Sequence, residues 1–255
     1  VVAMTDPLSA VLRSVHLSGG VFVDARFSAP WCVRSRLTAE DWGRFLERPT
    51  QVIAYHVVIA GELDLSIAGE SPIRLRAGEI ALLTRNDDHV MASGPGLEPV
   101  DADALIQHAP EGGLARIVHG GGGAGVHMIC GFLGSEAPHA SLLAALPRVL
   151  TLDIREAASR DWIEASVRFA ANELAEGRLA TSGVMSRLSE VLLVEAVRHY
   201  AAQRPDTETG WLKGLSDPQI GRALALMHGD MRAPWSAEAL ARAVAMSRSA
   251  FMDRF

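Results

Sequence analysis

The stretch PWSAEALARAVAMSRSAFMDRF at residues 234–255 carries the pattern from which the rest of the chain is best interpreted. Ser236 is a good N-cap, because its hydroxyl can accept a hydrogen bond from a backbone N–H of the first helical turn. Leu240 and Val244 then fall on one helical face, and Trp235 is placed to pack against Leu240. The pattern breaks at residues 245–246, so a short helix followed by a tight turn is predicted.

A second short helix is predicted after this turn. Ser247 can cap it, and Phe251 and Phe255 lie four residues apart, so we expect both rings to face the core. Two short helices around a tight turn form a helix-turn-helix, whose second helix enters the major groove of DNA. The end of the chain is therefore predicted to bind DNA.

This segment closely resembles the first helix-turn-helix of the AraC/XylS family of bacterial transcription regulators. The residues that carry the resemblance are Trp235, Ser236, Leu240, Ala241, Met246, Ser247, Arg248, Ser249, Phe251 and Phe255. The family commonly has glycine in the turn, where this chain has Ala245. Its DNA-binding domain also holds two such units, whereas this sequence stops at Phe255. The resemblance therefore implies a regulator cut off inside its DNA-binding domain, with weak or absent specific binding to DNA.

The same resemblance places the DNA contacts on the predicted recognition helix. The implied residues are Ser247, Arg248, Ser249, Met252 and Arg254. Arginine pairs with guanine or phosphate, and serine can hydrogen-bond either a base or a phosphate. Asp253 is expected on the same surface, where a carboxylate can accept from cytosine.

Helical periodicity precedes this segment. Residues 138–205 are predicted to form a helical linker and dimerisation region, with helices at 161–176 and 182–203. The apolar stripe of the second helix is wide, so it forms either a dimer interface or a surface that packs on the preceding domain. The linker RPDTETG follows, and a helix from Asp217–Pro218 to Gly229 belongs to the predicted DNA-binding domain, residues 212–255.

Residues 1–137 have the pattern of a small β-barrel that follows a short helix at 6–18. Strands are predicted at 21–27 and 126–133, and pairs of strands at 51–69 and 71–84, with turn signals between them. The Gly- and Pro-rich stretch 94–125 is expected to be a long loop or a loose hairpin. The fold class is therefore α+β, with an N-terminal barrel, a helical region and a partial, all-α helix-turn-helix domain.

The barrel segment resembles a cupin. Gly78 and His89 occupy the glycine and histidine of the second cupin motif, whereas Thr84 and Asn86 replace its proline and inner glycine. Gly61 matches the turn of the first motif. Ala54 stands where metal cupins carry a glutamate, and the His-x-His of enzymatic cupins is missing. With the helix-turn-helix, the resemblance covers nearly the whole chain. It implies the cupin-type effector domain of one AraC subgroup.

His56, His89 and Cys130 are the candidate site of this barrel. Imidazole and thiolate suit zinc or copper, so one interpretation is a metal site made of these three residues. A second is an effector-binding pocket, with Trp31 and Tyr55 as further walls. The set can also sense oxidants if the cysteine is a reactive thiolate. Purely structural roles for all three side chains stay open as well.

Composition narrows the classes of function. The formal net charge is −6, but residues 213–255 hold six basic and four acidic side chains, so that segment is +2 and the remainder −8. This division suits an acidic sensor joined to a DNA reader. The sequence shows no membrane-length apolar run and no signal-peptide pattern, and two cysteines are too few for a disulfide framework. A cytoplasmic protein with no membrane partner is expected.

The sequence contains no nucleophile elbow, zinc-protease motif or CxxC pair, so we do not expect an enzyme. We predict an AraC/XylS-type transcription regulator that senses a small effector, a metal or a redox signal in a cupin barrel. It is expected to be a homodimer that binds promoter DNA, with RNA polymerase as a further partner. The alternatives are a cupin-type metal-dependent enzyme and a stand-alone ligand-binding or dimerisation module.

Overall fold

The computed structural model describes residues 18–43, 47, 49–107, 115–135, 146–156, 165, 183–203, 210–230 and 232–255. The chain divides into two compact units, one covering Leu17–Ala196 and the other containing Val197–Phe255. Residues 6–17 of the predicted N-terminal helix and nearly all of the helix predicted at 161–176 lie outside the described residues. Within the described part, no helix combines the length and apolarity needed to cross a lipid bilayer.

The first unit is built from two β-sheets. Its strands are β1 (Ser18–Ser28), β2 (Cys32–Ser35), β3 (Gln51–Ala60), β4 (Glu62–Ile67), β5 (Ile73–Arg76), β6 (Glu79–Leu83), β7 (His89–Ala92), β8 (Val100–Asp101), β9 (Ala115–Gly120), β10 (Gly125–Ser135) and β11 (Val149–Asp153). One sheet has the order β11-β6-β3-β10-β1-β9, and the other has the order β5-β4-β7-β2-β8. Side chains from both sheets share one core cluster, so the two sheets form the expected barrel-like fold.

Strand β3 lies inside the larger sheet, paired with β10 on one side and β6 on the other. It is buried from Val52 to Val58, so most of its length lies in the core. The strand turns at Gly61, which has φ +82 and where a Cβ would lie 2.3 Å from the Gly125 carbonyl oxygen. Glycine is required there, and the chain passes from the larger sheet into the smaller one.

Two sequence expectations about this unit are wrong. Residues 94–125 were expected to be a loop or hairpin, but they contain β8, a 3₁₀ turn at Asp103–Leu105 and β9. Strand β9 runs parallel to β1, which separates it from β10. Its pattern is weak, because Ile117 is its buried hydrophobic residue while Val118 is 65% exposed.

The second correction concerns the boundary at residue 137. Strand β11 lies in the region predicted to be helical, yet it pairs antiparallel with β6 and extends the larger sheet to Asp153. Leu150 and Leu152 alternate inward at a period of two, which is strand periodicity. The apolar run before them resembles a helix, so the change from helical to strand periodicity is hard to recognise in the sequence.

The described helices are α1 (Ala39–Trp42), α2 (Gly183–Ala202), α3 (Trp211–Ser216), α4 (Pro218–Gly229), α5 (Ala237–Ala243) and α6 (Arg248–Arg254). Helix α2 confirms the helix predicted at 182–203. Ser189 of α2 donates a hydrogen bond to the Tyr55 hydroxyl of β3 at 2.9 Å. The alternative in which this helix packs on the barrel is therefore observed, while dimerisation stays a prediction.

Helices α4, α5 and α6 of the second unit begin at the predicted residues and have side-chain caps. Asp217 accepts from the backbone N–H groups of Gln219 and Ile220 at the start of α4. Ser236 and Ser247 accept from Ala239 and Ala250, each at 3.1 Å. These caps begin each helix by satisfying donors that have no partner in the first turn.

The turn between α5 and α6 is tight, and Ala245 takes the left-handed conformation with φ 56. Phe251 is buried, as expected, but Phe255 is 56% exposed, so its predicted place in the core is wrong. The Phe255 ring stacks on Phe251 with centroids 5.1 Å apart. It covers the buried ring from the solvent side, since α6 has already ended at Arg254.

Candidate functional site

A cavity that is partly open to solvent lies within the barrel unit. Strands of both sheets line it, and most of the wall is apolar. Its apolar contributors include Val23, Ala25, Phe27, Val33, Met91 and Ile117. Three buried polar side chains, His56, His89 and Cys130, also reach it. The cavity has the character of a small-molecule site, which is mostly apolar with a few convergent polar groups.

The structure brings the three predicted site residues together. His56 lies opposite Cys130 in the register of β3 and β10, and its Nδ1 lies 3.1 Å from the cysteine Sγ. The other ring nitrogen of His56 lies 2.8 Å from Nε2 of His89, which begins β7 in the opposite sheet. The three residues therefore form a continuous hydrogen-bonded chain across the barrel interior.

The contact that His89 makes at the far end of this hydrogen-bonded chain determines which atom donates in each hydrogen bond. His89 Nδ1 lies 2.9 Å from the backbone carbonyl of Asp87, which can only accept, so this nitrogen donates. In a neutral ring, His89 Nε2 must then accept from His56 Nε2–H, and His56 Nδ1 must accept from the Cys130 thiol. Each hydrogen of the chain is thereby used.

Burial keeps all three groups uncharged. It lowers the pKa of His56 well below the ordinary value of 6.5, and the neighbouring His89 lowers that pKa further. Burial also lowers the pKa of His89, against the opposing effect of the Asp87 carbonyl. The same burial raises the pKa of the Cys130 thiol to about 12. These directions agree with the neutral tautomers required by the hydrogen bonds.

This arrangement does not fit a metal ion shared by the three residues. A common zinc or copper ion would need one donor atom from each residue at about 2.0–2.3 Å from a single point. His56 instead directs its two nitrogens to opposite neighbours. Among the described residues, no group of three His, Cys, Asp or Glu side chains is arranged to hold a metal. The zinc or copper site remains a prediction from the sequence.

Trp31 and Tyr55 do not line the cavity. Tyr55 is adjacent to His56 in β3, so it points to the opposite face of the sheet, where it meets Ser189. Trp31 is buried and stacks on Phe27, with ring centroids 4.2 Å apart. It therefore supports a wall residue from behind. The predicted effector pocket contains His56, His89 and Cys130 without these two aromatic residues.

The charged residues of the cavity were missed by the sequence interpretation. Arg36, Asp41 and Asp103 line it, and Arg36 and Asp103 are exposed, so they mark its opening to solvent. They come from the segments after β2 and β8 and share no sequence motif. They lie close together because β2 pairs in parallel with β8. No local sequence pattern predicts this pairing.

The residues predicted to contact DNA lie on or next to α6. Arg248, Ser249, Met252 and Asp253 are exposed. Ser247 is also exposed, but its hydroxyl caps the helix. Arg254 is engaged elsewhere, because one amino group donates to Gln219 Oε1 at 2.8 Å and the other contacts the Asp217 carboxylate. Of the predicted set, Arg248, Ser249 and Met252 therefore present side chains that are not used in these contacts.

The chain is similar to several known proteins over most of its length. A cupin family model, Cupin_6, matches residues 6–202. An AraC-like transcription regulator of Streptomyces lividans is 30% identical over 98% of this chain and 77% of its own length. One of Streptomyces antibioticus is 32% identical over 98% of this chain and 78% of its own. The crystal structure of ToxT from Vibrio cholerae aligns over 93% of this chain and 73% of its own, with 9% identity and a TM-score of 0.35.

Proposed function

This chain belongs to the Cupin_6 family and is an AraC-type, DNA-binding transcription regulator with a cupin effector domain, and from that premise we propose that its barrel senses a small, largely apolar organic molecule. The cavity beside the Cys130–His56–His89 chain carries this proposal. A neutral polar chain whose hydrogens are already used offers little to an ion, whereas the apolar walls favour an apolar occupant.

Metal and redox sensing are less well supported by the same geometry. The three candidate ligands do not converge on a point. Oxidant sensing requires a thiolate that solvent can reach, but Cys130 is buried and its pKa is raised to about 12. The cupin-enzyme alternative depends on a metal set that this site does not present, so we propose that the barrel binds its ligand without turning it over.

A thermal-melting experiment tests the effector class. Octanol, a neutral apolar probe, is expected to raise the unfolding temperature, because a ligand of the folded state alone stabilises it. Replacing Ile117, which lines the cavity, by Trp should fill the space and remove this shift. Val118→Trp places the same ring on the exposed side of the same strand and should leave the shift unchanged.

The proposal fails if zinc or copper raises the unfolding temperature and Cys130→Ser abolishes that rise. It also fails if octanol stabilises the Ile117→Trp and Val118→Trp variants equally. A second cavity-filling change, Val33→Phe, keeps the test usable if the Ile117→Trp variant does not fold.

We propose further that α6 contacts DNA through Arg248 and Ser249. Both side chains are exposed and both belong to the helix that follows the turn. We also propose that the protein is a homodimer, that it contacts RNA polymerase and that it meets its promoter in the cytoplasm. These proposals rest on family membership.

Binding to the DNA upstream of its own gene tests the role of α6. Arg248→Ala should weaken binding by roughly tenfold and reduce the salt dependence by about one phosphate contact. Arg222→Ala removes an equal charge from α4, whose side chain there is also exposed, and should have a smaller effect. Equal losses for the two variants would contradict the assignment of α6.

A further inference from the structure

We infer that the effector carries a positive charge at one end, as an apolar amine does, and that this end lies at the opening of the cavity beside Asp41 and Asp103. The inference rests on the proposed function, because it names the chemical class of the molecule that the barrel would bind. It excludes a carboxylic acid as the preferred ligand.

The interior of the cavity is unsuited to a charged group of either sign. Its deepest polar residues form the neutral chain, in which each hydrogen already has an acceptor. The surrounding wall is apolar, with Phe27, Val33 and Met91 among its members. An ion placed there would lose its hydration without a compensating partner. A charged end of the ligand must therefore remain near the opening.

The opening carries an excess of negative charge. Asp41 and Asp103 line it together with one cation, Arg36. Burial raises the pKa of the Asp103 carboxyl, and the nearby carboxylates of Asp41, Asp101 and Glu40 raise it further. Among the described residues that line the cavity, two carboxylates thus face one guanidinium. This potential favours an ammonium group and repels a carboxylate.

The Asp103 carboxylate is available for such a contact. Its backbone N–H donates to Asp101 Oδ1 at 3.1 Å, but its own side-chain oxygens have no hydrogen bond or ion pair with any residue that the structure describes. Asp41 is partly engaged, since one of its oxygens accepts from the backbone N–H and hydroxyl of Thr38. Asp103 is therefore the principal partner for the cationic end.

Calorimetric titration of the whole chain with three matched probes tests the inference. Octylammonium, octanol and octanoate share one apolar tail and differ in the charge of the head. At low salt and neutral pH, octylammonium should bind up to roughly fivefold more tightly than octanol, and octanoate more weakly than octanol, as expected for exposed charge pairs. At about 1 M salt the differences should nearly vanish, because screening is then strong over distances of about 3 Å.

Matched variants locate the effect. Asp103→Asn should remove most of the advantage of octylammonium over octanol. Glu98→Gln removes an exposed carboxylate that does not line the cavity, and should leave all three affinities unchanged. Arg36→Gln should strengthen octylammonium binding and weaken octanoate binding further.

The outcomes separate this inference from the proposed function. Equal affinity for the three probes, or tightest binding of octanoate with loss in Arg36→Gln, overturns the amine assignment. The apolar effector site survives that result as long as Ile117→Trp abolishes octanol binding. If none of the probes binds, or if Ile117→Trp binds them unchanged, the assignment of the cavity itself is overturned.

Discussion

The contribution of Cys130 to stability depends on the hydrogen of its thiol, which serves as a hydrogen-bond donor. Its S–H is the donor that His56 Nδ1 requires, since His56 Nε2–H is already used toward His89. Cys130→Ala should therefore lower the free energy of unfolding by about 1–3 kcal/mol, the usual cost of a buried acceptor left unpaired. Urea denaturation measures this change.

Cys130→Ser is the matched control, because its hydroxyl can donate to the same nitrogen. It should cost less than the alanine variant, although a buried hydroxyl is harder to desolvate than a thiol. If the serine variant is the less stable of the two, His56 does not accept from residue 130 and the assigned tautomers are wrong.

The two buried histidines predict a dependence of stability on pH. Their folded pKa values lie below the unfolded value of 6.5. Above that value both states hold neutral rings, and stability is unaffected by pH. As the pH falls below 6.5, the unfolded chain takes up protons that the folded chain excludes, so the free energy of unfolding should fall by up to about 1.4 kcal/mol per pH unit for each histidine.

Denaturation at a series of pH values, with His89→Gln for comparison, checks this expectation. The slope of the variant should be shallower between about pH 6.5 and pH 5. Asp24 acts in a different range, because the hydrogen bond from His127 lowers the pKa of its carboxyl below 3.8, and the stability it adds is lost only in stronger acid. Identical slopes in the two proteins would contradict a neutral, buried His89.

The sequence predicts part of the site at this scale. His56, His89 and Cys130 are found from a cupin-like motif and from strand periodicity, and in the structure their side chains lie within hydrogen-bond distance of one another. The prediction that Tyr55 lines the pocket is wrong. Side chains alternate along a strand, and this alternation already places Tyr55 on the face opposite His56. Asp103 and Arg36 could not be found, since their proximity depends on long-range strand pairing.

Ala245, in the turn between α5 and α6, has a backbone conformation that is unfavourable for a residue with a Cβ. Its φ of 56 lies in the left-handed region, which costs a residue with a Cβ about 1–2 kcal/mol. Ala245→Gly should therefore stabilise the second unit by up to about 1 kcal/mol, after allowance for the greater entropy of glycine in the unfolded chain. The change can be measured as a shift in the thermal transition.

Ala239→Gly supplies the control, because Ala239 lies within α5 in a regular helical conformation. It should destabilise by about 0.5–1 kcal/mol, the normal helix penalty of glycine. Destabilisation by both substitutions would show that the left-handed turn is not strained in the alanine protein.

The predictability of the elements follows the strength of their local signals. Capping residues predict α4, α5 and α6 to within a residue or two, because a cap is a local interaction. Strands β9 and β11 are missed, since each has few inward residues and is fixed by a partner strand far along the chain. Sequence patterns report local preference and contain little information about such pairing.

At the scale of the whole molecule, sensing requires that the barrel and the DNA-binding helices influence each other's binding equilibria. If an effector changes the affinity for DNA by some factor, DNA must change the affinity for that effector by the same factor. Titration of the probe with and without operator DNA should give this equality. Ile117→Trp should abolish the effect of the probe on DNA binding and leave the affinity for DNA itself unchanged.

A probe that binds the barrel and leaves DNA affinity unaltered would show that it has equal affinity for the DNA-competent and DNA-incompetent states. Such a compound would occupy the cavity without being an effector. The reciprocity test thus distinguishes ligands of the barrel from signals.

The contacts of Arg254 have a consequence for how DNA is searched. This residue ties the end of α6 to Asp217 and Gln219, and Gln219 in turn donates to the Val244 carbonyl between the two short helices. In its proposed DNA-binding role, α6 would thus be oriented before any duplex arrives, and little ordering would remain for the moment of contact. Contacts with non-target sequences would therefore not be strengthened by a rearrangement of the helix, and the protein could dissociate from them quickly.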